Sequence, residues 1–348
     1  MSQLMSPYDR VMRALTGQVP DRVPVFSFAT LHGALEVGLS LPHYFRSAEA
    51  VAEGQLRLQQ KYGCDCVLGF SYGAVEAEAF GTEVLFSDSG PPNAGAPVVA
   101  DWTSALQLEA PDPANSTPLR MVLRAIELMA ERIKGQVPII GVAIAPLSLP
   151  AMLLGMDRWM ELLLFGPADV HAHVVETSTE FCVRWARAQL AAGADAVALG
   201  DPISSATVST RQEFQERSLP NLQHTIARIG GPVALLGVGR LEPMIDLVPD
   251  TGALAAAVTA EDDLGACKRE LRGRAAVIGN LNNIQMTAWT AGEADAAVRH
   301  CLAQAGGAGY ILAPQWELPL AVTDEVLHAT VGAARRWGTY GPAAGGGL

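Results

Sequence analysis

The sequence predicts an α/β fold of the (β/α)8 TIM-barrel type, formed as one domain over residues 1–340. Three observations predict it. Short apolar runs alternate with longer amphipathic stretches along the chain, the pattern of repeated strand–helix units and a parallel sheet. Eight strand candidates fit within 348 residues, the chain length of one α/β barrel. Gly63, Gly193, Gly231 and Gly309 stand at helix-to-strand joints, where a helix C-terminus favours glycine. An open, doubly wound sheet is the alternative, and eight units in one domain favour the barrel.

Ser6-Pro7-Tyr8-Asp9 opens the first helix, with Ser as N-cap and Pro at the first helical position, and Gly17 ends it. Strands are expected at 21–26, 65–70, 137–142, 194–199, 232–236, 254–258, 275–278 and 309–312. Helices are expected at 48–62, 117–134, 157–165, 167–192, 211–229, 242–248, 264–271, 292–305 and 324–337. The stretch 87–114 is rich in Pro and Asn and has little periodicity. It reads as a loop, over the barrel mouth or on the plain surface. The tail 341–348 is expected to be disordered.

Composition narrows the function. Hydrophobic residues make up 49% of the chain and charged residues 17%, enough for a large core. Aromatics are only 6%, so small and branched side chains must fill that core, as closely packed parallel strands require. The net charge of −12 leaves no basic stripe for phosphates and argues against nucleic acid. No apolar run reaches the ~18 residues of a membrane span. The N-terminus lacks the basic-then-apolar order of a signal peptide, so a cytoplasmic protein is expected. Its five cysteines are then expected to be reduced thiols.

Chemistry in such barrels sits where strands run into the following loops. Asp201 can serve there as a general base or hold a substrate cation, or it can brace its own loop. Tyr72 can donate a proton or form a wall. Glu317, beside Trp316, is a carboxylate whose pKa burial would raise. Arg240 can clamp an acid or pair with Glu242 or Asp246. Asn280, Asn282 and Asn283 offer amides to a substrate or serve the turn after Gly279. Ser71 and Trp316 complete the expected substrate contacts. Gly237 and Gly239 are too few for a dinucleotide fingerprint. His171 and His173 stand two apart on a helix and do not share a face as metal ligands. No zinc-ligand spacing is present, and no metal site is expected.

Four stretches carry a family resemblance. They are Arg10–Gly17 with Asp21–Val25, Gly73–Gly81, Gly193–Ala196 running on to Asp201, and Gly279-Asn280 with Gly309–Pro314 and Val322–Glu325. Together they resemble the uroporphyrinogen decarboxylase superfamily, and within it the methylcobamide:thiol methyltransferases. The resemblance implies a barrel acting on a small molecule, with a corrinoid protein as the methyltransferases' partner. It also shows what is missing. Those methyltransferases bind zinc through a His-x-Cys and a later Cys, and the matching positions here are Leu236, Val238 and a position near Trp316. The decarboxylases carry an Asp after a Phe-Ser pair, but Phe70-Ser71 is followed here by Tyr72. They also carry an Arg-rich segment where Phe26–Gly33 has no Arg.

The resemblance therefore implies a divergent methyltransferase using a corrinoid or a methylated small molecule. Tyr72, Asp201, Asn280 and Glu317 would orient the substrate and supply a proton. A decarboxylase or lyase for a small acid or tetrapyrrole-like substrate is the alternative, with Asp201 or Glu317 protonating a carbanion and Arg240 holding the acid. A binding protein without catalysis is the third reading.

Overall fold

The structure is a computed structural model that describes residues 5–70 and 72–340. Ser71 and the tail 341–348 lie outside the described residues. Seven parallel strands form one sheet in sequential order: β1 (Val67–Leu68), β2 (Ile139–Ile144), β3 (Ala196–Gly200), β4 (Val233–Leu236), β5 (Ala255–Ala257), β6 (Ala276–Leu281) and β7 (Tyr310–Pro314). The principal helices are α1 (Pro7–Leu15), α2 (Ala48–Tyr62), α3 (Thr117–Ile133), α4 (Ala168–Ala192), α5 (Leu219–Ile229), α6 (Leu264–Leu271), α7 (Ala291–Ala305) and α8 (Asp324–Trp337). The fold is α/β and TIM-barrel-like.

The strand expected at 21–26 is not regular, and this corrects the count of eight. Pro24 has no N–H to give, and the Val25 N–H goes to the Asp65 carboxylate at 2.8 Å instead of to a strand carbonyl. With two successive donors outside the ladder, only a single parallel bridge, Val25 to Leu312, remains. The segment still lies between the first and last strands. Phe26 N–H donates to Leu312 O at 2.9 Å, and Asp65 N–H donates to Val25 O at 2.7 Å.

Strand alternation separates two packing layers. Val197 and Leu199 of β3 face the large core under the helices, whereas Ala198 joins Leu68, Val142, Leu236, Phe28 and Phe70 on the inner face of the curled sheet. At the other end α1 supplies Val11 and Ala14, which pack on Cys66 and Ile311 and plug the bottom. Ser6 caps that helix by accepting from Asp9 N–H at 3.0 Å.

The helical stretch 211–229 contains a π-turn at Phe214–Ser218 just before α5. Pro220 removes the N–H that would bond to Glu216, so the backbone loosens by one residue there. The stretch 87–114 is not structureless. It holds one strand of a small hairpin, Val84–Leu85 with Asn93–Ala94, and the short helix Trp102–Ala105. It is fastened beside the N-terminal part of α4, where Leu108 O receives the His173 ring at 3.0 Å. Among the described residues no helix is long and apolar enough to cross a membrane.

Candidate functional site at the strand C-termini

The C-terminal ends of the strands surround an apolar throat. Phe26, Phe28, Phe70 and Leu236 are half-buried, and the rings of Phe26 and Phe28 stack at 5.7 Å. Among the described residues two besides the glycines take the left-handed backbone region, Phe28 at φ 44° and Val238 at φ 36°. Both stand at this mouth, where such strained residues concentrate in functional proteins. Leu318 N–H donates to Phe28 O at 3.1 Å and holds that turn in place.

Most polar candidates around the mouth are committed to structure. Asn280 gives its amide to Thr259 O at 2.9 Å and to Asp262 O at 3.2 Å. Asn282 accepts from Ile284 and Gln285 N–H at 3.1 and 3.0 Å, which is turn chemistry. Arg240 is exposed and pairs with Glu242 at 3.2 Å, with Asp262 at 3.8 Å from its Nε. Asp262 went unnoticed in the sequence. Its carboxylate gathers the backbone N–H groups of Leu241, Glu242 and Thr259 and so ties two strand ends together. Tyr72 is buried, donates to Glu78, and packs edge-on against Phe45 and Phe86. Trp316 is half-buried beside Glu317.

Asp201 follows Val197 and Leu199 on the helix-facing side of β3. Its N–H still continues the ladder to Leu236 O at 2.8 Å. It is 1% exposed, and burial raises its pKa against the opposing bonds from Ser148 and Ser204. One oxygen accepts from Ser148 Oγ at 2.6 Å, and the other has no partner. Asp201 therefore stands behind the barrel wall. Glu76, an acid that follows the first regular strand in the sequence, shares that layer. One of its oxygens accepts from Ile144 N–H at 2.9 Å. The other has no partner in hydrogen-bond geometry, although the Trp185 indole lies close enough to favour the charged form. Desolvation dominates and pushes the Glu76 pKa up to about 8.

Glu317 differs from all of these. It lies three residues past β7, between the Phe28 turn and the loop after β6. Its backbone carbonyl accepts from Asn283 Nδ2 at 2.7 Å, and that Asn accepts from Gln315 at 3.0 Å. Its carboxylate has no hydrogen bond or ion pair among the described residues. Burial alone pushes its pKa up to about 7. A carboxyl in that range is partly protonated at neutral pH and can give or take a proton.

Zinc does not fit this mouth. Leu236 is an apolar member of the throat, Val238 is an exposed aliphatic, and Trp316 carries no metal donor. Among the described residues no group of three His, Cys, Asp or Glu side chains is placed to hold a metal.

Comparison with known proteins agrees with this architecture. A methylcobamide:CoM methyltransferase, MtaA, from Methanosarcina barkeri is 26% identical over 290 residues, 79% of this chain and 82% of that protein. A uroporphyrinogen decarboxylase from Xanthomonas oryzae pv. oryzae is 28% identical over 299 residues, 79% of this chain and 81% of that protein. A methyltransferase from Methanosarcina mazei superposes with a TM-score of 0.88 at 22% identity, covering 95% of this chain and 99% of that one, and so shares the fold. The uroporphyrinogen decarboxylase (URO-D) family matches residues 6–337, and the chain belongs to that family.

Proposed function

We propose that the protein transfers a methyl group from a small methylated thioether, ether or amine to a corrinoid carried by a partner protein. Glu317 carries this reading. Among the described residues it is the carboxyl at the mouth with a pKa near neutrality and no hydrogen-bond or ion-pair partner. When the carbon–heteroatom bond breaks, the methyl group leaves without the bonding pair, and the heteroatom keeps that pair and needs a proton. A protonated Glu317 supplies it, which lowers the barrier most for a basic leaving group. The corrinoid, when bound, supplies the nucleophile that takes the methyl group. The throat of Phe26, Phe28, Phe70 and Leu236 suits the apolar, methyl-bearing end of a substrate and excludes water. Val238 and Ile284, 40% and 62% exposed, offer apolar rim surface to a partner-borne acceptor.

Zinc activation of an acceptor thiol, the route of the methyltransferases this chain resembles, finds no ligands here. The reading is therefore demethylation of a donor substrate. Mixing the protein with cob(I)alamin and a panel of methyl ethers, thioethers and amines tests it, with loss of the cob(I)alamin absorbance as the signal. No turnover with any donor would sink it.

Decarboxylation of a small acid is the second reading, favoured by the same apolar throat, since a desolvated carboxylate loses carbon dioxide more readily. Its expected acid clamp, Arg240, is occupied by Glu242 and Asp262. Carbon dioxide release without methyl transfer would establish it. Substrate binding without either reaction would return the non-catalytic reading.

A further inference from the structure

A second concave site lies at the opposite end of the barrel. It is a cleft of about 590 Å³ between α6, the loops entering β6 and β7, and the end of α1. That volume suits a small-molecule ligand. Four basic residues line it, Lys268, Arg269, Arg272 and Arg274, and no acidic residue does, on a chain of net charge −12. Gly17, Gly273 and Gly306 form its corners, and a Cβ on any of them would meet only open space.

Helix ends explain part of this charge. The C-termini of α1, α6 and α7 converge here, and cations offset their exposed carbonyls. Lys268 donates to Ala308 O and Gly309 O at 2.6 and 2.8 Å. Arg274 donates to Asp246 O and Glu270 O at 3.2 and 2.7 Å. These two are accounted for. Arg269 and Arg272 have neither a hydrogen bond nor an ion pair among the described residues, although each guanidinium carries five donors. The charge is also in excess locally. Burial first, and the Arg272 charge second, lower the pKa of Lys268 to about 8. Glu270, the acid between these arginines in sequence, is exposed and is not part of the cleft wall.

We propose that this cleft binds a compact, multiply charged anion, gripped by Arg269 and Arg272 and backed by Lys268. Phosphate oxygens and clustered carboxylates match a guanidinium fork equally well, so the chemistry is that of a small polyanion. The cleft lies beyond the N-terminal strand ends, so the site is separate from the mouth and independent of the reaction proposed there.

Isothermal titration of the full-length protein at low salt, with pyrophosphate in one arm and citrate in the other, tests the proposal. Saturable one-to-one binding in either arm is expected, and the tighter arm tells phosphate from carboxylate. Arg269→Ala with Arg272→Ala should weaken it at least tenfold and leave the thermal melt in place, since both side chains are exposed. The bound anion should also slow acylation of Lys268, measured by peptide mass spectrometry. Absence of saturable binding in both arms would overturn the proposal, as would affinity unchanged in the double variant.

Discussion

The Ser148 hydroxyl donates to Asp201 at 2.6 Å and at the same time accepts the Ile203 N–H at 3.1 Å. One side chain from the loop after β2 thus fixes the loop after β3, behind the wall of the throat. Ser148→Ala removes both bonds inside a buried site. It should cost about 1–3 kcal/mol in chemical denaturation, the usual penalty for orphaned buried groups. Asp201→Asn keeps an oxygen for Ser148 and should cost less than Asp201→Ala. Equal losses in the two Asp201 variants would contradict this bracing role.

Asp65 organises the bottom of the barrel. It is fully buried and receives Arg10 at 2.6 Å and Arg22 at 2.7 Å, together with the Val25 N–H. Removing it leaves the largely buried Arg22 guanidinium without an acid and Arg10 with Asp21 alone. Asp65→Ala should therefore destabilise the fold by about 3–5 kcal/mol, measured by urea unfolding. A loss below 1 kcal/mol would show that water reaches these arginines.

Glu76 makes stability depend on pH. Its native pKa of about 8 lies above the unfolded value of 4.5, so the native state holds a proton that the unfolded chain releases between those limits. Its contribution is fully present below pH ~4.5 and is lost as pH rises through about 8. Glu76→Gln keeps an acceptor for the Ile144 N–H without the charge. The variant should be the more stable protein at pH 8, by on the order of 3–5 kcal/mol, with the difference vanishing near pH 5. Melting curves at the two pH values check this, and a pH-independent difference would contradict it.

The architecture was legible from periodicity. Seven of the expected strand positions hold regular strands, and the expected helix over 48–62 is observed as Ala48–Tyr62. The failure at 21–26 has one local cause, Pro24, which the sequence displays, and one tertiary cause, Asp65, which captures the Val25 N–H from forty residues away. The site was less legible for a similar reason. Asn280, Asn282 and Arg240 have the residue types of substrate ligands, yet their hydrogen bonds are spent on neighbouring backbone and acids. Asp201 follows the predicted strand by two residues, and alternation carried on from Val197 and Leu199 could have placed it on the helix side. Glu76 sits in the acidic segment after β1, but its burial depends on packing against β2 and α4. Glu317 beside Trp316 was readable, because an acid next to a large ring at a strand end invites burial.

Glu317→Gln should preserve the fold, since no hydrogen bond or ion pair to the carboxylate is lost. It should lower the rate of demethylation about 10²–10⁴-fold, the range for loss of a general acid. A substrate whose leaving group needs no proton should be nearly indifferent to the change.

Single-turnover methyl transfer to cob(I)alamin from a turned-over donor with a basic leaving group, followed from pH 5.5 to 8.5, tests the central claim most directly. An acid must be protonated to act, so the native rate should fall as pH rises through about 7, the Glu317 value, and the fall should vanish in Glu317→Gln. A rate flat across that range, or the same pH profile in native protein and variant, would contradict the assignment of Glu317 as the proton donor.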